Sequence, residues 1–367
     1  MQLDKLLTMS HKYGSDEDYV LAGGGNTSYK ENGVMAVKAS GTILATIDEA
    51  GFVFMDTGKL IGLLNNVYPK DDSKREALVL QDMMAARLVD QGEKRPSVES
   101  VLHALFEQAY VLHLHPAMVN GMTCGRQGAK HCERLFSEEA LWIPLAKPGF
   151  ILSKVCSERF LEYKNQHKRP VDIVFLQNHG LFVAGDTIEE IDAKMEKVMR
   201  RVADCIDRKP DSSDYYPEHI DMDDDIETAV ADDWVKIRTV NKEVANYAED
   251  DKTMAVLMNP FTPDHIVYCK DQPLYVKDKK QTKQLFDSYV ADKAYQPRII
   301  VVKDSGLYAC GESIKVAETA LKVFVDGVRI AVYSESFGGP LGLDAEFTQF
   351  ILNWEIESYR AKKSLNE

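Results

Sequence analysis

Two histidines one residue apart on an apolar run, with a third at the tip of an expected hairpin, constrain this chain more than any other feature. The run Tyr110-Val111-Leu112-His113-Leu114-His115 reads as a β-strand. In a strand, residues i and i+2 point to the same side, so both imidazoles should leave one face. His179, in Asn178-His179-Gly180, falls at a sharp turn between the apolar runs 173–176 and 181–184, where packing gives no reason for an imidazole. Three neutral imidazoles suit zinc or a similar divalent ion, and three protein ligands leave one coordination position for a substrate. A His-x-His pair alone is usually two ordinary strand histidines. The third residue makes the set a candidate metal centre, and an open metal centre points to Lewis-acid chemistry rather than a structural clip.

The bulk properties narrow the class. At 367 residues the chain has room for one large domain or two ordinary ones. With 45% hydrophobic and 28% charged residues it reads as a soluble globular protein. No apolar run approaches the ~18 residues of a membrane span. The start, Met1-Gln2-Leu3-Asp4-Lys5, lacks a signal-peptide apolar core. The six cysteines are scattered, with no C-x-x-C spacing, which fits reduced thiols rather than a disulfide framework. The expectation is a cytoplasmic protein. The net charge of −14 argues against nucleic acid or an anionic membrane as partner. It leaves room for an anionic small molecule held by local backbone N–H groups and one or two cations.

Along the chain, residues 1–20 read as a helix. The segment after Gly23-Gly24-Gly25-Asn26 reads as two strands joined at Asn32-Gly33, a hairpin signal. Helices are expected over 73–92 and 99–109, the second with Ser97 as a plausible N-cap. Strand 110–115 follows, then strands 171–177 and 181–184. Thr187-Ile188-Glu189-Glu190 reads as a capping box opening a helix to about 206. Polar, acidic sequence over 207–233, including Asp214 and Asp221–Asp225, reads as a solvated linker. The expected organisation is a first domain over 1–210, an acidic linker over 211–245, and a second α/β region over 246–367. The last helix is expected over 345–362.

A faint internal repeat joins the two halves. At a fixed offset of 126 (305 − 179), Gly180 matches Gly306, Leu181 Leu307, Gly185 Gly311 and Ile188 Ile314, and Ser305 stands opposite His179. The second region thus reads as a copy that lost its metal ligand, with chance similarity of two hairpin–helix units as the rival reading.

The Gly-rich turn is not a dinucleotide fingerprint: Ser28 replaces the third glycine, and a hairpin follows instead of a helix. Its exposed N–H groups, helped by Asn26 and Ser28, suit an anion, as does the second small-residue turn Ser40-Gly41-Thr42. Either alone is as easily a plain tight turn. Glu99 opens the helix leading into the His113 strand. It fits a fourth ligand, a general base, or a first-turn carboxylate satisfying the helix dipole. His103, four residues on and on the same helix face, reads as structural.

Together, Gly25-Asn26-Thr27-Ser28, Lys38-Ala39-Ser40-Gly41-Thr42, Pro96-Ser97-Val98-Glu99, His113-Leu114-His115-Pro116 and Asn178-His179-Gly180 resemble the class II aldolase/adducin family over about residues 5–205, with every motif in order. Leu102-His103-Ala104, Pro263-Asp264-His265 and the Trp354-Glu355 region look most like the aldolase part of bifunctional rhamnulose-phosphate aldolase/lactaldehyde dehydrogenase proteins, without their dehydrogenase fingerprint. The resemblance implies a three-layer α/β/α fold with a mostly antiparallel sheet, followed here by the smaller α/β region. It implies zinc on His113, His115 and His179, Glu99 as acid/base, and substrate phosphate held at Asn26, Ser28, Ser40, Gly41 and Ser97. Val98 departs from the simple sugar-phosphate aldolases, which carry a second hydroxyl there, and none of the sixteen tyrosines matches the family's tyrosine proton donor.

The function expected from this is zinc-dependent cleavage of a phosphorylated ketose, rhamnulose 1-phosphate being the first candidate, by a homo-oligomer. A sugar-phosphate 4-epimerase and a non-catalytic adducin-like scaffold are the alternatives. The intact histidine set weighs against the scaffold.

Overall fold

A computed structural model describes residues 3–88, 91–211 and 224–366. The chain divides into two compact units, one of Met1–Thr123, Gln127–Cys205 and Asn353–Glu367, the other of Cys124–Arg126 and Ile206–Leu352.

The first unit is built on seven strands: β1 (Asn26–Glu31), β2 (Val34–Lys38), β3 (Phe52–Asp56), β4 (Tyr110–Leu114), β5 (Leu141–Ile143), β6 (Ile173–Leu176) and β7 (Gly180–Gly185). Their order is β3-β2-β1-β4-β7-β6-β5, with only β5 and β6 parallel. The β1–β2 turn is Asn32-Gly33, with φ of 52° and 79°. Two consecutive left-handed residues form the turn whose twist matches paired strands. β4 sits at the centre with all five residues buried. Helices Ser100–Leu105 and Phe150–His167 cover one face, where Leu102, Cys156 and Phe160 pack with Val111, Phe182 and Ala184. Thr27 points the other way, its hydroxyl 2.7 Å from that of Ser10 on helix Leu3–Gly14, and helices Ala117–Thr123 and Ile188–Ala203 pack on β7 there. The result is the expected α/β/α sandwich with a mostly antiparallel sheet. Among the described residues, no helix is long and apolar enough to cross a membrane.

Several boundaries differ from the sequence reading. The first helix ends at Gly14, where a side chain would meet the Leu44–Ala45 backbone at about 2.4 Å. The helix expected over 73–92 is Asp72–Ala85, N-capped by Asp71; residues 89–90 lie outside the described residues. The helix expected over 99–109 is Ser100–Leu105 with Glu99 itself at the N-cap, and extended backbone at Phe106 (ψ 139°) ends it. At Thr187 the hydroxyl accepts from Glu190 N–H as expected, but the Glu190 carboxylate accepts from Asp186 N–H, so the capping box is not closed.

The second unit contains β8 (Val235–Thr239), β9 (Leu274–Val276), β10 (Ile299–Val302) and β11 (Gly306–Gly311) in the order β8-β11-β10-β9. That repeats β4-β7-β6-β5, including the parallel outer pair. The offset of 126 holds for β6 and β10, for β7 and β11, and for the helices opening at Ile188 and Ile314. The left-handed residue at each hairpin turn also matches, Asn178 (φ 55°) and Asp304 (φ 59°). In the second copy the partner of Tyr308, the counterpart of Phe182, is Arg238 where the first copy has His113.

Two parts of the expected domain plan look different in the structure. The segment read as a 211–245 linker carries a helix, Asp224–Ala229, and strand β8. Its acidic residues Asp214 and Asp221–Asp223 lie outside the described residues. The expected last helix is two, Ala345–Leu352 and Glu355–Asn366, and the second groups with the first unit. The break falls at Trp354, which is buried with its ring beside Gly149.

Candidate metal centre

The pairing register assembles the site. Asn26 of β1 faces His113 across β1–β4, and Phe182 faces His113 across β4–β7, so their side chains share one face of the sheet. His113 stacks on the Phe182 ring at 4.1 Å. His115 lies one residue past the end of β4, its N–H bonded to the carbonyl of Tyr19 (3.1 Å). His179 sits on the β6–β7 turn behind left-handed Asn178, and Asn120 Nδ2 donates to the His179 carbonyl (3.2 Å). All three imidazoles are buried, with candidate ligand atoms within 4.8 Å of one another.

Proton placement follows from the neighbours. His113 Nδ1 lies 2.9 Å from the carbonyl of Leu181. A carbonyl only accepts, so Nδ1 carries the proton and Nε2 presents a lone pair, the usual outer contact of a metal-binding histidine. That Nε2 is 2.9 Å from His115 Nε2. Glu99 Oε1 lies 3.3 Å from His113 Nε2 and 3.5 Å from His179 Nε2, and it is buried without a hydrogen-bond partner. An orphaned carboxylate oxygen beside converging imidazole nitrogens suits a positive charge among them, so the donor set fits a divalent cation.

Glu99 is held from behind. Its Oε2 accepts from Asn26 Nδ2 (2.7 Å), and its N–H donates to Ser97 Oγ (3.3 Å). His103 Nε2 meets Asn26 Oδ1, and His103 Nδ1 meets Ser28 Oγ (2.7 Å). Burial keeps the His103 ring neutral, its pKa well below the usual value. Lys30 Nζ donates to the carbonyls of His103 and Phe106 at the helix end, and burial pushes this ammonium down to about 7.

The residues expected around phosphate fall into two groups. Ser40, Gly41 and Ser97 come together because residues 38–40 pair with 95–97: Ser40 N–H bonds the Arg95 carbonyl (2.8 Å) and Ser97 N–H the Lys38 carbonyl (3.1 Å). Gly41 (φ 91°) packs against Lys363, leaving no room for a Cβ. Asn26 and Ser28 instead have their side chains engaged by Glu99 and His103. Sequence reasoning could not place His103 beside Asn26 and Ser28, since only the strand register shows that the face it shares with Glu99 meets β1. It also gave Phe182 no role and did not foresee how tightly Gly180 packs. A Cβ on Gly180 would sit 2.4 Å from the Leu114 carbonyl and 2.7 Å from the His115 ring. Gly180→Ala should therefore cost about 1–3 kcal/mol of stability and weaken metal binding, read by thermal melting and chelator competition.

The chain is similar to known proteins. Residues 4–203 match the family described as Class II Aldolase and Adducin N-terminal domain. A curated Bacillus subtilis (strain 168) protein titled "Uncharacterized oxidoreductase YuxG" is 23% identical over 411 residues, covering 98% of this chain and 58% of its own length. This chain thus spans little more than half of that relative. The solved N-terminal class II aldolase domain of a conserved protein from Thermoplasma acidophilum is 28% identical, covering 56% of this chain and 93% of its own, with a TM-score of 0.47. An L-fuculose-1-phosphate aldolase from Thermus thermophilus is 14% identical over 55% of this chain and 93% of its own, with a TM-score of 0.35. With the family match running over more than half of its residues, this chain belongs to the class II aldolase and adducin family.

Proposed function

We propose that this chain is a divalent-metal-dependent aldolase that cleaves a phosphorylated ketose, of which rhamnulose 1-phosphate is the first candidate, to dihydroxyacetone phosphate and an aldehyde. The observation that carries the reading is Glu99 Oε1, buried and unbonded beside the Nε2 atoms of His113 and His179. His113, His115 and His179 would hold zinc. When bound, the ion polarises the ketose carbonyl and offsets the negative charge that builds as C3–C4 breaks. The chain's own proton chemistry falls to Glu99, whose Oε1 faces the reaction space while Oε2 is fixed by Asn26. It would take up the proton that the C4 hydroxyl gives up as C3–C4 breaks, directly or through solvent, and deliver one to C3 of the departing three-carbon fragment; in the synthetic direction it would take a proton from C3 while the new C4 oxygen is protonated. Backbone N–H groups of the Gly-rich turn, with Ser40, Gly41 and Ser97, would hold the phosphate.

The test is release of dihydroxyacetone phosphate from a panel of ketose 1-phosphates by zinc-loaded protein. Cleavage of a panel member is the expected result. Interconversion of C4 epimers without released triose phosphate would move the chain to the epimerases. Metal-loaded protein that performs neither reaction would contradict an enzymatic role.

A further inference from the structure

The buried chain Ser28–His103–Asn26–Glu99 has one consistent set of proton positions, and it points at the carboxylate. Glu99 Oε2, as a carboxylate oxygen, accepts; the Asn26 atom 2.7 Å from it is therefore the amide nitrogen. That leaves Asn26 Oδ1 towards His103, so His103 Nε2 must carry the ring proton and donate it. The other ring nitrogen of a neutral imidazole must then accept, and Ser28 Oγ–H is the donor 2.7 Å away. Each link fixes the next: the serine sets the tautomer, the tautomer sets the amide orientation, and the amide presents an N–H to Glu99. The frame is rigid. His103 and Ser28 are fully buried; Phe182 packs edge-on against the His103 ring at 5.3 Å; Lys30 ties down the carbonyl of His103 (2.8 Å).

We infer that His103, acting through Asn26 and fixed by Ser28, is a positioning residue for Glu99. The inference rests on Glu99 being the acid/base of the reaction proposed above. Without the chain, Glu99 keeps its place at the helix N-cap but loses the contact that directs Oε1 towards the imidazoles. Buried outer contacts of this kind typically change metal affinity or turnover by about 10- to 100-fold.

A double-mutant cycle tests it with two readouts: turnover, and zinc affinity by chelator competition. His103→Gln and Asn26→Ala should each lower kcat by about 10- to 100-fold with KM unchanged. In a Glu99→Gln background the same changes should cost little further in either readout, because their effect passes through Glu99. Ser28→Ala removes only one oxygen and probes the same chain if a His103 variant does not fold. A raised KM for Asn26→Ala with kcat unchanged would overturn the inference, returning Asn26 to the substrate alone. Additive costs in the Glu99→Gln background would overturn it as well. If no substrate is cleaved but the zinc-affinity cycle still couples His103 to Glu99, the positioning role stands and the aldolase reading falls.

Discussion

His113→Ala is expected to strip the metal and take turnover to background. The ring is fully buried, stacked on Phe182, oriented by the Leu181 carbonyl, and one of the three converging imidazoles. Alanine removes one of three ligands and the stacked wall that orients the others. The Lewis acid is worth several kcal/mol of transition-state stabilisation, and each ~1.4 kcal/mol is tenfold in rate, so the loss should be about 10³-fold or more. The large-to-small change also leaves a cavity against Phe182, so some fall in melting temperature should accompany it. His115→Ala and His179→Ala disturb the core less, as both rings lie near its edge. They should lose metal by dialysis with smaller changes in melting. A His113→Ala protein that retains one equivalent of metal and normal turnover would remove the centre from the account.

Glu99→Gln should separate chemistry from assembly. Glutamine is nearly isosteric, and its side-chain oxygen still accepts from Asn26, so fold and zinc stoichiometry should survive. What it cannot do is exchange a proton at carbon, and turnover should fall by about 10²- to 10⁴-fold, the usual worth of a positioned general acid–base. KM should change little, since no substrate contact is removed. Full activity in Glu99→Gln would mean that Oε1 faces the imidazoles for another reason, as a fourth metal ligand or a purely structural carboxylate.

Much of this was legible in the chain itself because it rests on local rules. Alternation along 110–115 put His113 and His115 on one side, and a turn between two apolar runs exposed His179. The Asn32-Gly33 hairpin and the 126-residue offset between the copies follow from turn chemistry and spacing in the same way. What was not legible depends on pairing between distant segments. Nothing near Asn26 in the sequence says that it lies across from His113. Only the β1–β4 register does so, and with it come the Asn26–Glu99 contact and the role of His103. The early end of the helix at Leu105 has the same origin: the tertiary demand that β4 begin at Tyr110 overrides the helical spacing over 99–109. In the segment read as a linker, Val235–Thr239 is a strand that no periodicity announced, since its first four residues are all half-buried with no alternation between faces.

The most direct test of the central claim is proton exchange at carbon, which needs no knowledge of the aldehyde. Zinc-loaded protein would be incubated with dihydroxyacetone phosphate in deuterium oxide and C3 followed by NMR. The account predicts stereospecific exchange of one proton at that carbon, abolished by a chelator and by Glu99→Gln although the variant still binds zinc. Metal-loaded wild-type protein that exchanges no proton, or a Glu99→Gln variant that exchanges as fast as wild type, would contradict it.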